Sequence, residues 1–225
     1  MEKRYTLIDD AIVFNGVTLY RIKALVDFGD VKAGEFGGYI ENEENLNQYD
    51  IDVYDHTDPR FYGGISFRKK ICNAWVYNNA KVYGDAKIYG NAKIRDNSIV
   101  YGNTMINDNA IVSDNAIIHG NVRIYDNAII HGNVRICDDI CICGDANICN
   151  NNDYYVCKDR ESESKEIVFF KLKDGDIGVL HDYSYSTLEE FKNKVKICKD
   201  SDIRDKYLTI ANVAESKINN YKEKS

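Results

Sequence analysis

Several absences narrow the possibilities for this chain. No apolar run approaches the roughly 20 residues that a membrane-spanning helix needs. The start, MEKRYT, carries no apolar h-region, so no secretory signal is expected. There is no excess of positive charge: 29 Lys and Arg stand against 36 Asp and Glu, a formal net charge of −7. A nucleic-acid binder that relies on many phosphate contacts needs the opposite balance, so direct nucleic-acid binding is not expected. The acidic balance still allows solubility, a basic partner or mimicry of nucleic acid. Cysteine is present as an odd number, seven, and without an export signal these read as reduced thiols in a cytosol.

What is present is a repeat. Residues 73–150 read NAWVYN, NAKVYG, DAKIYG, NAKIRD, NSIVYG, NTMIND, NAIVSD, NAIIHG, NVRIYD, NAIIHG, NVRICD, DICICG and DANICN, about thirteen uninterrupted copies of N-A-x-[IV]-x-[GDN]. Side chains alternate along a strand, so the second and fourth residues of each unit share a direction. The fourth is always Val or Ile, and the second is usually Ala, small enough for a tight inside corner. Each buried Val or Ile contributes about 1.5–3 kcal/mol, so this column can serve as a core by itself. The junctions pair Gly, Asp and Asn, residues that tolerate the left-handed backbone of a sharp bend.

Six-residue sides with such corners resemble the hexapeptide-repeat left-handed parallel β-helix, a three-sided prism. At about 18 residues per turn and about 4.8 Å between strands, residues 73–150 make a little over four coils, about 20 Å tall. The open ends of the stack need caps. Residues 11–25 read as a hairpin around Asn15-Gly16 and 167–180 as a second one at Asp174-Gly175. Ser186-Thr187-Leu188-Glu189 resembles a capping box opening a helix to about Cys198. A second helix is expected from about Ile203 to Tyr221, with Tyr207, Leu208, Ala211, Ala214 and Ile218 on one face. The expected fold is mainly β: residues 1–72 a small N-terminal β capping module with an insertion at 49–72, 73–150 the prism, 151–225 a C-terminal α+β cap.

Three stretches carry a family resemblance: ALVDFGDVKAGEFGGYIENEENL (24–46), the NAWVYNNAKVYGDAKIYG repeats, and FFKLKDGDIGV followed by STLEEFKNKV (186–195). Together they resemble uncharacterised phage and bacterial hexapeptide-repeat proteins that carry the label transferase. That label rests on fold, which does not establish function. Two departures stand out. Residues 49–72 intervene before NAWV, and His181-Asp182-Tyr183-Ser184-Tyr185 replaces a Cys-containing stretch before the TLEEF helix. A single proline with abundant Asn, Ile, Lys and Tyr fits an AT-rich bacterial or phage genome, and the expected location is the cytoplasm of a bacterial host cell.

Enzymes with this prism are mostly acyltransferases with a histidine base at a subunit interface, or carbonic anhydrases with a three-histidine metal site. Here the repeat holds only His119 and His131, two sides of the triangle apart, and they are weak catalytic candidates. The prism also lacks a loop insertion of the kind that closes an acyl-carrier site. Cys137, Cys141, Cys143 and Cys149 do not have C-x-x-C zinc spacing; Cys141 and Cys143 are expected on one outward face, with Cys137 and Cys149 on the other two. No metal and no cofactor is expected. Gly34, Gly37 and Gly38 lack a Gly-Lys-Ser/Thr ending and read as turn formers.

Two features point to partners. Tyr49, Asp50, Asp52, Tyr54, Asp55, Asp58, Phe61 and Tyr62 form an acidic-aromatic loop whose spacing fails the EF-hand pattern. It reads as solvated or, more sharply, as partner-binding. The outward third positions turn apolar in mid-prism, at Ile99, Met105, Ile111, Ile117 and Ile129, with Tyr83 and Tyr101 stacked beside them. An apolar strip marks a subunit interface, a seat for the C-terminal domain or a partner site. The leading reading is a non-enzymatic phage or prophage binding protein, a homo-oligomer (dimer or trimer) that engages a protein or ribonucleoprotein target such as a host defence component. The alternatives are an acyl-CoA-dependent acyltransferase and a structural or assembly component.

Overall fold

The computed structural model describes residues 3–47, 49, 72–158 and 166–219, with the backbone of two short strands inside 51–70. At its centre is a parallel β-solenoid of about four turns, with a small β module at the N-terminal end and a mixed cap at the other. Thirteen two-residue strands, β6 (Trp75–Val76) through β18 (Asn147–Ile148), follow one another, one per repeat unit. Each pairs in parallel with the strand a coil away, as Ile99 does with Ile117, Met105 with Arg123 and Ile111 with Ile129.

The pairing defines three faces. The first carries Lys81–Val82, Ile99–Val100, Ile117–Ile118 and Arg135–Ile136; the second Lys87–Ile88, Met105–Ile106, Arg123–Ile124 and Cys141–Ile142. The third runs from Trp75–Val76 to Asn147–Ile148. Every fourth-position Val or Ile is wholly buried, as the repeat requires. Where Ser98 and Thr104 replace the usual Ala they are also buried, and their hydroxyls donate to Arg95 O (2.6 Å) and Tyr101 O (2.9 Å).

The corner chemistry divides between two positions that the sequence reading treated alike. Only the sixth residue of a unit is left-handed, in all but the last unit: Asn78, Asp96, Asp108, Asp114, Asp126 and Asp138, with glycines at the other six corners. The first-position asparagines instead form ladders along the prism edges. Asn73, Asn91, Asn109 and Asn127 pass amide hydrogen bonds from coil to coil at 3.1 Å each. One amide donates and the next accepts, so identical residues at the strand spacing satisfy one another.

The N-terminal module begins the coil rather than merely covering it. β1 (Tyr5–Phe14) and β2 (Val17–Ala24) form the expected hairpin, longer than 11–25, turning at Asn15 (φ 49°) and Gly16 (φ 80°). β3 (Phe36–Ile40) then pairs in parallel with Lys81–Val82 on the first face, and Leu46 bridges Ile88 on the second. A 3-10 turn, Glu43–Asn45, makes the corner, and the buried Asn45 amide donates to Gly84 O (2.8 Å) and Ala86 O (2.9 Å). Gly37 and Gly38 are therefore strand residues, not turn formers: a Cβ on Gly37 would lie 2.5 Å from Ile22 Cγ1 and from Val76 O. Trp75 is sealed by the edges of Tyr5 and Phe28 at 5.9 and 5.5 Å.

Since residues 36–47 already follow the first and second faces, the 49–72 segment leaves at the corner before the third. The 49–72 insertion thus comes, in chain order, between two sides of the first coil and ahead of the uninterrupted 73–150 repeats. Its β4 (Ile51–Tyr54) and β5 (Phe67–Lys70) pair antiparallel.

At the far end the buried Asp153 carboxylate accepts the backbone N–H groups of Cys149 (2.8 Å) and Asn150 (3.0 Å), closing the last coil. An antiparallel sheet follows: β19 (Tyr154–Lys158), β20 (Glu166–Lys171), β21 (Ile177–His181) and β22 (Ser184–Thr187). Strand alternation splits it between two cores. Val168, Phe170 and Leu180 pack against the prism, while Ile167, Phe169 and Val179 pack on α1 (Leu188–Lys196) and α2 (Ser201–Asn219). The N-cap of α1 is Thr187, not Ser186, with Glu190 completing the capping box. Ala211, Ala214 and Ile218 of α2 are buried and Tyr207 and Leu208 pack beside them, the face expected. β19 and β22 add two strands to those expected from the sequence.

Candidate functional site

The outward residues of the prism fall into separate patches, not one strip. Ile99 and Ile117 are neighbours on the first face, Ile111 and Ile129 on the third. Between them runs a corner whose Asp114 and Asn115 are exposed, so the four isoleucines are not contiguous around it. Met105 belongs to neither patch; it sits on the second face between Lys87 and Arg123.

The first face carries the more developed surface. Tyr83, Tyr101 and His119, fifth residues of successive coils, stack with ring centroids 5.0 and 4.9 Å apart and planes within 2° and 14° of parallel. Parallel register at the strand spacing imposes this, because equivalent side chains lie one above the other. Phe14, at the tip of the N-terminal hairpin, meets Tyr83 edge-on at 6.1 Å, and Asn15 Nδ2 donates to its hydroxyl at 3.3 Å. Tyr83 is thereby only 8% exposed and is withdrawn from the expected interface. Ile99, Tyr101, Ile117 and His119 remain half-buried, framed by Lys81 above and Arg135 below.

The two prism histidines are not brought together. His119 is the last ring of the first-face column, with Nε2 buried and without a hydrogen-bond partner among the described residues. His131, on the third face, has Nε2 3.2 Å from Asn147 Oδ1 and Nδ1 3.8 Å from Asp114 Oδ2. Among the described residues no group of three His, Cys, Asp or Glu is placed to hold a metal ion.

The four cysteines at the end of the prism are not poised as nucleophiles. Burial raises the thiols of Cys137, Cys141 and Cys149, and pushes that of Cys143 up to about 11. Thiolates are the reactive form, so a raised pKa makes a thiol inert. Cys143, on the same outward face as Cys141, is covered by the C-terminal sheet and buried. Cys141 opens into a cleft of about 400 Å³ between the second face and the C-terminal sheet, with Arg123, Glu166, Leu180 and Tyr183 around it. Burial also raises the Glu166 carboxyl, against the lowering influence of Lys158.

Of the acidic-aromatic loop, Tyr49 is 45% exposed, and Asp52 and Tyr54 are placed only as members of β4. Asp50, Asp55, Asp58, Phe61 and Tyr62 lie outside the described residues. The sequence reading also missed the β21–β22 hairpin tip, where Asp182 (φ 49°) and Tyr183 (φ 61°) are both left-handed. The signal was available as the HDYSY departure from the resembling family. No helix among the described residues is long and apolar enough to cross a membrane. No family model and no curated protein matches the chain, so its own geometry carries the functional argument.

Proposed function

We propose that this chain is a non-enzymatic binding protein of phage or prophage type, whose rigid prism presents its first face to a macromolecular partner. The observation that carries this reading is the half-buried surface of Ile99, Tyr101, Ile117 and His119 between Lys81 and Arg135. An apolar centre with a charged rim is the anatomy of a protein interface. The cationic ends favour a partner with carboxylates beside an apolar strip. A host defence component is the target class that the family resemblance suggests, with the acidic-aromatic 49–72 segment as a second contact. The smaller third-face patch, Ile111 and Ile129, is the seat of self-association into a dimer or trimer.

The test compares two double variants. Ile99→Lys with Ile117→Lys abolishes capture of the partner from a bacterial host lysate while leaving the oligomer intact. Ile111→Lys with Ile129→Lys dissociates the oligomer, read by light scattering. If both variants keep partner and oligomer, the reading fails. The acyltransferase alternative retains one observation, the buried Nε2 of His119. It requires acetyl-CoA to raise the melting temperature through preferential binding to the folded chain.

A further inference from the structure

The C-terminal domain contains a cavity that the binding reading does not use. It lies between the β21–β22 hairpin and the two helices and measures about 520 Å³, within the roughly 300–1,000 Å³ typical of small-molecule sites. Its apolar side is built by Phe191 and Val195 of α1 and Ile203 and Tyr207 of α2. His181 closes it, edge-on to Phe191 at 5.9 Å and to Tyr207 at 5.1 Å. The polar side is supplied by Ser184, Ser186 and Lys194.

Several of these polar groups lack hydrogen-bond partners among the described residues. His181 Nε2 is buried; Asp182 Oδ2 lies 3.4 Å away but is misaligned, and no hydrogen bond forms. Leaving a buried polar atom unbonded costs about 1–3 kcal/mol unless something else bonds it. The Ser184 and Ser186 hydroxyls and the Lys194 ammonium make no hydrogen bond or ion pair among the described residues. Of the acidic lining groups, Glu190 Oε2 accepts the Thr187 N–H at 2.9 Å, and Asp182 Oδ2 lies beside His181. The hairpin tip holds this arrangement through a two-residue turn, Asp182 and Tyr183, both at the positive φ that such a turn requires.

From this geometry we propose that the cavity binds a small carboxylate with an apolar body. The body lies against Phe191, Val195 and Tyr207, and the carboxylate accepts hydrogen bonds from Lys194 and the two serine hydroxyls. One free ammonium matches a single negative charge. The carboxylates of Asp182 and Glu190 repel a phosphate dianion about twice as strongly as a monoanion, and one ammonium cannot offset that, so phosphate is disfavoured.

The experiment titrates the full chain with octanoate, 1-octanol and inorganic phosphate, following the His181 imidazole resonances by NMR and the melting temperature. Octanoate is expected to shift the His181 signals saturably and to raise the melting temperature. Lys194→Gln, at an exposed position where folding is not at risk, is expected to weaken octanoate about tenfold while leaving 1-octanol unchanged. Equal binding of octanoate and 1-octanol, unmoved His181 signals or a shift produced by phosphate would each overturn the assignment.

Discussion

Asp126 Oδ2 accepts the backbone N–H of Gly144 at 2.9 Å, one full coil further along the chain. Asp114 does the same for Gly132 at 2.8 Å. A left-handed Asp thus serves both as the bend and as a bond to the next bend, whereas a left-handed Gly serves only as the bend.

Substitution at Asp126 separates those two roles. Asp126→Ala loses the hydrogen bond, about 1 kcal/mol, and keeps a Cβ at φ 59°. Asp126→Gly loses the same bond but is relieved of that Cβ, which returns roughly 1 kcal/mol. Urea denaturation should therefore rank Ala below Gly, the reverse of their order in ordinary strands. Equal values would mean that the corner is not strained.

Close approach and backbone angle are likewise separable at two N-terminal glycines. Gly37→Ala drives a Cβ into Ile22 and the Val76 carbonyl, neither of which can yield cheaply, and should cost about 3 kcal/mol. Gly16→Ala meets nothing within 4 Å and suffers only from φ +80°, so about 1 kcal/mol is expected. A smaller loss at Gly37 than at Gly16 would show that β3 does not seat on the first full coil.

The first-face ring column contributes to stability as well as to surface. Tyr101→Ala loses contacts with both Tyr83 and His119, about 0.5–1.5 kcal/mol each beyond area burial. Thermal melts should show the loss, and Ile99→Lys, without a ring in the column, should show less. Tyr101 is therefore a poor probe of partner binding, and the isoleucines are the cleaner choice. An unchanged melt for Tyr101→Ala would make the stacking energetically idle.

Acid should loosen the loop between β2 and β3. Partial burial tends to raise the Asp30 carboxyl, but hydrogen bonds from Lys93 (2.6 Å) and the Tyr77 hydroxyl (2.7 Å) outweigh it and hold the group below the usual carboxylate value. A depressed carboxyl stabilises the fold above its unfolded value, and that contribution disappears as pH falls through the folded value. Asp30→Asn should lower the melting temperature near neutral pH, and the gap from the parent should close in acid. A gap that persists or widens on acidification would assign the effect to something other than the charge.

The repeat was legible because its period is local. Every fourth-position Val or Ile buries as its spacing demands, and the two hairpin turns and the buried face of α2 follow from residues adjacent in the chain. The assignment of isoleucines to faces was legible for the same reason, since an 18-residue coil is simple arithmetic. Two assignments drawn from local type failed. Gly37 and Gly38 looked like turn residues because their glycine character reflects a neighbour, Trp75 with Val76, that the local sequence does not reveal. The short strand β22 was hidden inside HDYSYST, whose pairing partner lies across a two-residue turn without glycine.

The sequence alone determined the prism, because one alternating pattern repeated thirteen times buries its apolar column only by coiling on itself. It also determined that the ends must be capped. Tertiary structure decided which outward residues remain available: Phe14 covers Tyr83, and an exposed Asp114–Asn115 corner divides the isoleucines. It also decided that His181, Lys194 and Tyr207, from three different elements, meet around one cavity. Burial of a repeat is set by neighbours in the chain, whereas exposure and convergence depend on which distant segment arrives to cover or face a residue.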